Sequence, residues 1–159
     1  MQWQHKCLRR NKEVVFYMGQ GSIIGYEINE KTCQISFYNE QEMEPDTLEV
    51  DSDNYQIPLI IGKLRDTWAY GKEAKRLVSI KEGFTVTRLL GKSLAGDKIE
   101  FGEETYDAVW LLSRSIQMPL QSFPVIDGIV FTVPALTEEL AQMLRGIAAR
   151  MNKIGRAHV

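Results

Sequence analysis

The chain has 159 residues, a formal net charge of −2, 44% hydrophobic and 25% charged residues, a composition ordinary for one globular domain. It excludes a disordered, collagen-like or disulfide-scaffold chain, and 19 basic against 21 acidic residues leave no electrostatic footprint for nucleic acid. No apolar run is long enough to span a bilayer.

The first 22 residues carry no turn-and-strand pattern tied to the strands after them and are expected to lie outside the domain, with Met18 reading as an initiation site. The apolar residues 14–18 are too few for a secretory core, so the sequence predicts a cytoplasmic protein with Cys7 and Cys33 as free thiols. Residues 23–28 and 32–38 are β-branched and aromatic runs separated by Asn29, Glu30 and Lys31. They predict a hairpin in which Asn29 takes a positive φ. Residues 39–54 are acidic, with Pro45 inside, and predict a solvated connection with a short strand at 47–50. Residues 57–62 predict a third strand with Pro58 at its start, and residues 68–70 a fourth.

Gly71 opens a predicted helix with Ala74, Leu77 and Val78 on one face. Residues 84–90 read as a short helical or turn segment ended by Gly91, and residues 103–120 as a long helix whose stripe is Tyr106, Val109, Trp110, Ser113 and Ile116. Trp68 and Trp110 are expected to serve the core. Asp127 and Gly128 turn the chain into an apolar strand at 129–133, buried on both faces. Thr137 then caps a helix with Leu140, Met143, Leu144, Ile147, Ala148 and Met151 as its stripe. The order predicts an α/β chain with a mixed sheet: antiparallel hairpin strands, then helices, then a buried parallel strand. Residues 153–159 break the helical pattern, and the last six reverse-translate to a common sequencing adapter. They are expected to be an artefactual tail on a gene that continues.

Several motifs fail on spacing. Leu90-Gly-Lys-Ser93 lacks the leading glycine of a phosphate loop, whose place is Val86. Gly19, Gly21 and Gly25 are one residue too far apart for a dinucleotide fingerprint and enter a strand rather than a helix. Asp51 and Asp53 lack the glycine and closing glutamate of a calcium loop. His5 and His158 lie in the two ends, so neither a zinc site nor a histidine-assisted nucleophile has its parts.

Four segments in order resemble the DnaK-like heat-shock chaperone ATPases of the actin superfamily. Residues 24–37 resemble the hairpin G-x-D-x-G-[TS]-[TS]; Ile57-Pro-Leu-Ile-Ile-Gly62, followed by Tyr70-Gly-Lys-Glu-Ala-Lys75, resembles the P-S-x-V and x-G-x-x-A-x stretch. Phe84-Thr-Val-Thr-Arg-Leu-Leu-Gly-Lys92 is similar to F-x-x-K-R-L-I-G-R, and Ile129-Val-Phe-Thr-Val-Pro-Ala135 to V-x-T-V-P-A. The likeness covers residues 23–152 and is greatest to uncharacterised bacterial members of the group. It implies a ribonuclease-H-like fold, the first lobe of a two-lobed clamp for ATP and magnesium, with the remainder of the nucleotide site beyond residue 152.

Carried over by position, the phosphate turn would use Gly25, Glu27, Asn29, Glu30, Lys31 and Thr32. Glu27 takes the aspartate place, reaching magnesium through water, Asn29 the glycine place, and Glu30 and Lys31 the two hydroxyl places. Thr87 stands where the chaperones carry a catalytic lysine, and Arg88 is expected to be a structural ion-pair partner. The resemblance therefore implies an ATP- and magnesium-dependent clamp with weak or absent hydrolysis, read by a protein partner or an appended domain. The alternative is a non-catalytic protein-interaction scaffold of the same fold.

Overall fold

The computed structural model describes residues 13–15, 21–39, 41–50, 52 and 54–151. Expectations that fall on His5, Cys7, Gly19, Asp51, Asp53, His158 and the tail lie outside these residues. The elements run β1 (Glu13–Val15), β2 (Ser22–Ile28), β3 (Thr32–Asn39), β4 (Glu44–Thr47), β5 (Ile57–Pro58), β6 (Ile61–Leu64) and β7 (Thr67–Tyr70). They continue with α1 (Gly71–Ile80), β8 (Phe84–Val86), α2 (Leu89–Leu94), β9 (Lys98–Phe101), β10 (Glu104–Asp107), α3 (Ala108–Gln117), a 3₁₀ turn (Met118–Ser122), β11 (Ile126–Thr132) and α4 (Glu138–Ala149).

The main sheet has the order β1-β11-β2-β3-β4, with β5 added to one end of β3. β2 and β3 form the predicted antiparallel hairpin, and β11 lies parallel to β2, as the order of hairpin, helices and buried strand requires. Period-two alternation fixes which face is covered. Ile24, Tyr26 and Ile28 are fully buried, with Leu111, Ile116 and Leu144 of α3 and α4 in the same core, whereas Ile23 and Glu27 are exposed. Tyr26 carries its hydroxyl into that core by donating to the Ile116 carbonyl at 3.2 Å, which offsets the cost of burying a polar group. Burial holds its pKa well above the ordinary tyrosine value.

Several elements differ from expectation. Glu13–Val15, in the stretch expected outside the domain, pairs with β11. The run at 57–62 divides between two sheets: Ile57 and Pro58 pair with β3, while Ile61 starts β6 in a separate sheet of order β7-β6-β8. The edge strand β4 sits at Glu44–Thr47 rather than 47–50, and Pro45 is tolerated there because, among the described residues, no strand beyond β4 needs its missing N–H. Residues 84–90 contain β8, then Arg88 at φ 57°, then α2, so Gly91 lies inside a helix instead of ending one.

The long helix predicted for 103–120 is half its expected length. Residues 98–107 form the β9–β10 hairpin, turning at Gly102 with φ +67°, and α3 begins at Ala108. Its buried residues are Ala108, Leu111, Leu112, Ser115 and Ile116, and Trp110 is 40% exposed. In α1, Ala74 and Leu77 are buried but Val78 is 51% exposed. β11 starts at Ile126 and runs through a bulge at Asp127 and Gly128, where a preceding turn was expected. α4 matches its prediction, Thr137 Oγ1 accepting from the Leu140 N–H at 3.2 Å.

Candidate functional site

The six residues carried over for phosphate binding divide into two groups. Gly25 and Glu27 lie on the open face of β2, opposite Ser36 and Gln34 of β3 and beside Val130 and Thr132 of β11. Gly25 has no space for a side chain unless the Ser36 hydroxyl turns away. Asn29, Glu30, Lys31 and Thr32 form the turn at the end of that strand.

The turn is closed by its own side chain. Asn29 is absent from the left-handed region that its sequence context predicts; among the described residues, the non-glycine residues there are Met43, Arg65, Lys81 and Arg88. Instead, Asn29 Oδ1 accepts from the Lys31 N–H at 2.8 Å and the Thr32 N–H at 3.0 Å, an arrangement that replaces positive φ with side-chain hydrogen bonds. The Asn29 N–H donates to the Thr32 carbonyl at 3.0 Å, and Asn29 Nδ2 donates to Thr32 Oγ1 at 3.2 Å. The Lys31 carbonyl accepts from the Leu59 N–H at 2.8 Å, tying the turn to the link between β5 and β6.

Glu30 points toward α2. Its Oε1 accepts from the Gly91 N–H at 2.8 Å, and a Cβ added at Gly91 would lie 2.9 Å from that oxygen, so glycine is what admits the carboxylate. Glu30 Oε2 is buried without a hydrogen-bond partner. Around it lies a pocket of about 190 Å³ lined by Glu30, Arg88, Gly91, Lys92 and Asp97. Arg88 makes no ion pair with a described residue, where a structural ion pair was expected, and its carbonyl accepts from the Lys92 N–H at 3.1 Å.

A phosphate turn needs free backbone N–H groups converging on an anion. Here the Lys31 and Thr32 N–H groups are already occupied, and a carboxylate stands beside them. The residues present do not fit a triphosphate with magnesium, and among the described residues no group of three potential ligands gathers for a metal ion. Thr87, at the place of the chaperone lysine, is exposed on a shallow pocket with Lys92 and Lys98. Cys33, the described cysteine, is buried, and burial pushes its thiol up to about 11, which leaves it protonated and unreactive at neutral pH.

A second cluster, unforeseen from the sequence, joins the small sheet to α3. Lys63 of β6 pairs with Glu104 of β10, donates to the Tyr106 hydroxyl at 2.9 Å and lies 5.4 Å from the Trp68 ring centroid. Arg114 of α3 donates from Nε to the Tyr70 hydroxyl at 2.9 Å and lies 5.0 Å from the Trp110 ring centroid. Trp68 and Trp110 thus make a half-covered aromatic joint rather than core. The one sequence signal was Lys63 itself, a lone charge closing an apolar run. Hydrogen bonding to Glu104 raises the Lys63 pKa, and hydrogen bonding from Lys63 lowers that of Glu104.

The family described as "Family of unknown function (DUF5716) C-terminal" matches residues 43–157 of the chain. No curated protein matches the chain. No helix among the described residues is long and apolar enough to cross a membrane.

Proposed function

The chain belongs to the DUF5716 C-terminal family, and we propose that within it this domain serves as a non-catalytic protein-interaction scaffold, built as an actin-like, chaperone-type lobe that no longer binds nucleotide. The ribonuclease-H-like part of this reading is supported by the sheet. Three successive antiparallel strands, β2, β3 and β4, are completed by β11, which returns parallel to β2 after the intervening helices.

The observation that carries the loss of nucleotide is the Asn29 side chain, whose Oδ1 takes both the Lys31 and Thr32 N–H groups. Glu30 adds to it: its carboxylate holds the Gly91 N–H and would repel a triphosphate. Thr87 supplies no positive charge for a transferring phosphate.

Titration calorimetry of the full-length protein with ATP and magnesium tests this. The scaffold reading expects no heat from ATP, with or without the metal, and no difference between the natural chain and Glu27→Ala. Magnesium-dependent binding that Glu27→Ala weakens would overturn it in favour of the ATP clamp.

A further inference from the structure

The small sheet ends on β7, which among the described residues pairs with β6 alone. The pairing pattern shows what that edge offers. Gly71 N–H donates to the Ile60 carbonyl, so Ile60 and Gly71 are a hydrogen-bonded pair. Bonded and non-bonded pairs alternate along an antiparallel ladder. Along the register Ile61–Tyr70, Gly62–Ala69, Lys63–Trp68 and Leu64–Thr67, the Trp68 N–H and carbonyl therefore face away from β6, as does the Tyr70 N–H.

Beside this edge runs a groove of about 670 Å³ whose apolar lining includes Trp68, Leu77, Ile80 and Met118 and whose charged lining is Arg65, Glu73, Arg76 and Glu82. Ile80 is 48% and Met118 40% exposed. The contrast with the outer strand β4 is physical: β4 carries Glu44, Pro45 and Asp46, the charges and proline that discourage pairing, whereas β7 reads Thr-Trp-Ala-Tyr.

We propose that β7 is the seam of a two-fold homodimer in which the edges of two copies pair antiparallel and join the small sheets into one. The occupant follows from self-complementarity. In a register centred on Trp68, that residue exchanges both its backbone hydrogen bonds with Trp68 of the second copy, and the Tyr70 N–H meets the second copy's Asp66 carbonyl. The same register brings Arg65, in the β6–β7 turn, to the start of the second copy's α1, where Glu73 stands in the first helical turn. Neither Arg65 nor Glu73 makes an ion pair with a described residue of its own copy. The two-fold axis pairs them twice, and an isologous contact of this kind closes at two chains. Ile80 and Met118 are then covered by the partner. The dimer stands apart from the nucleotide question, since β7 is a different edge from the Asn29 turn.

Sedimentation equilibrium of the full chain over a range of concentrations tests the seam, together with Arg65→Glu, Glu73→Arg and the double variant carrying both. The expected result is a monomer–dimer equilibrium in which each single change raises the dissociation constant by about tenfold, from two rim pairs turned repulsive, and the double change restores it. A chain that stays monomeric overturns the proposal, including the case in which another protein's extended segment fills the groove. A dimer indifferent to the charge changes overturns it equally, because it would join through another surface.

Discussion

Asn29 decides the state of its turn, because one oxygen satisfies two backbone donors, the Lys31 and Thr32 N–H groups, that a phosphate site there would need free. The bonds give a stability test. Asn29→Asp retains the acceptor, and Asn29→Ala removes it, so urea unfolding should show Asn29→Ala less stable by about 1 kcal/mol and Asn29→Asp close to the natural chain. Equal losses would mean that the two N–H groups depend on something other than Oδ1. The place of the turn was legible in the sequence, since three polar residues between two β-branched runs leave few alternatives. Its conformation was not. Asparagine closes turns either through positive φ or through its side chain, and local sequence does not separate the two. Nor could sequence place Glu30, whose partner Gly91 lies 61 residues away.

Among the elements, the β2–β3 hairpin and α4 were readable because local pattern and burial agree. In α4 the cap and the stripe of Leu140, Leu144, Ile147 and Ala148 mark the same helix. The β9–β10 hairpin was not readable, because Tyr106, Val109 and Trp110 happen to recur at helical spacing. Gly102 was the signal to the contrary, a residue able to take the positive φ of a tight turn. The stretch at 57–62 misled for a different reason: one apolar run serves two sheets, and only tertiary pairing divides it.

The Lys63–Glu104 pair, which links β6 to β10, has a pH signature. Lys63 holds the Glu104 pKa below its ordinary value, so its stabilising contribution is present above the ordinary carboxylate range and is lost as pH falls through the lowered folded value. The raised Lys63 pKa has the opposite sense: its contribution is full below the ordinary lysine value and is lost only as pH rises through the folded one. Glu104→Gln should therefore melt at a lower temperature than the natural chain at neutral pH, with the two curves converging in acid. Melting temperatures that stay apart by the same amount at every pH would show that the carboxylate charge has no part in the joint.

At the scale of the whole molecule, a mixed sheet is packed against helices through Ile24, Tyr26 and Ile28, with an aromatic and cationic joint fastening a second, smaller sheet to α3. The mixed α/β class was legible because the antiparallel opening and the late apolar strand are separated by helical pattern. The open edge of the smaller sheet was not, since strand edges become visible only once pairing is known. Fold and function meet at the Asn29 turn: if the chain is a scaffold, this turn is a finished piece of structure rather than a waiting cradle.

Amide nitrogen–proton NMR of the full-length protein during addition of ATP with magnesium examines that turn directly. A closed turn predicts that the Lys31 and Thr32 amides exchange slowly with solvent, held by Asn29, and keep their chemical shifts as nucleotide is added. Fast exchange at both amides, followed by saturable shifts on addition of magnesium and ATP, would contradict it and show the turn to be an open phosphate site.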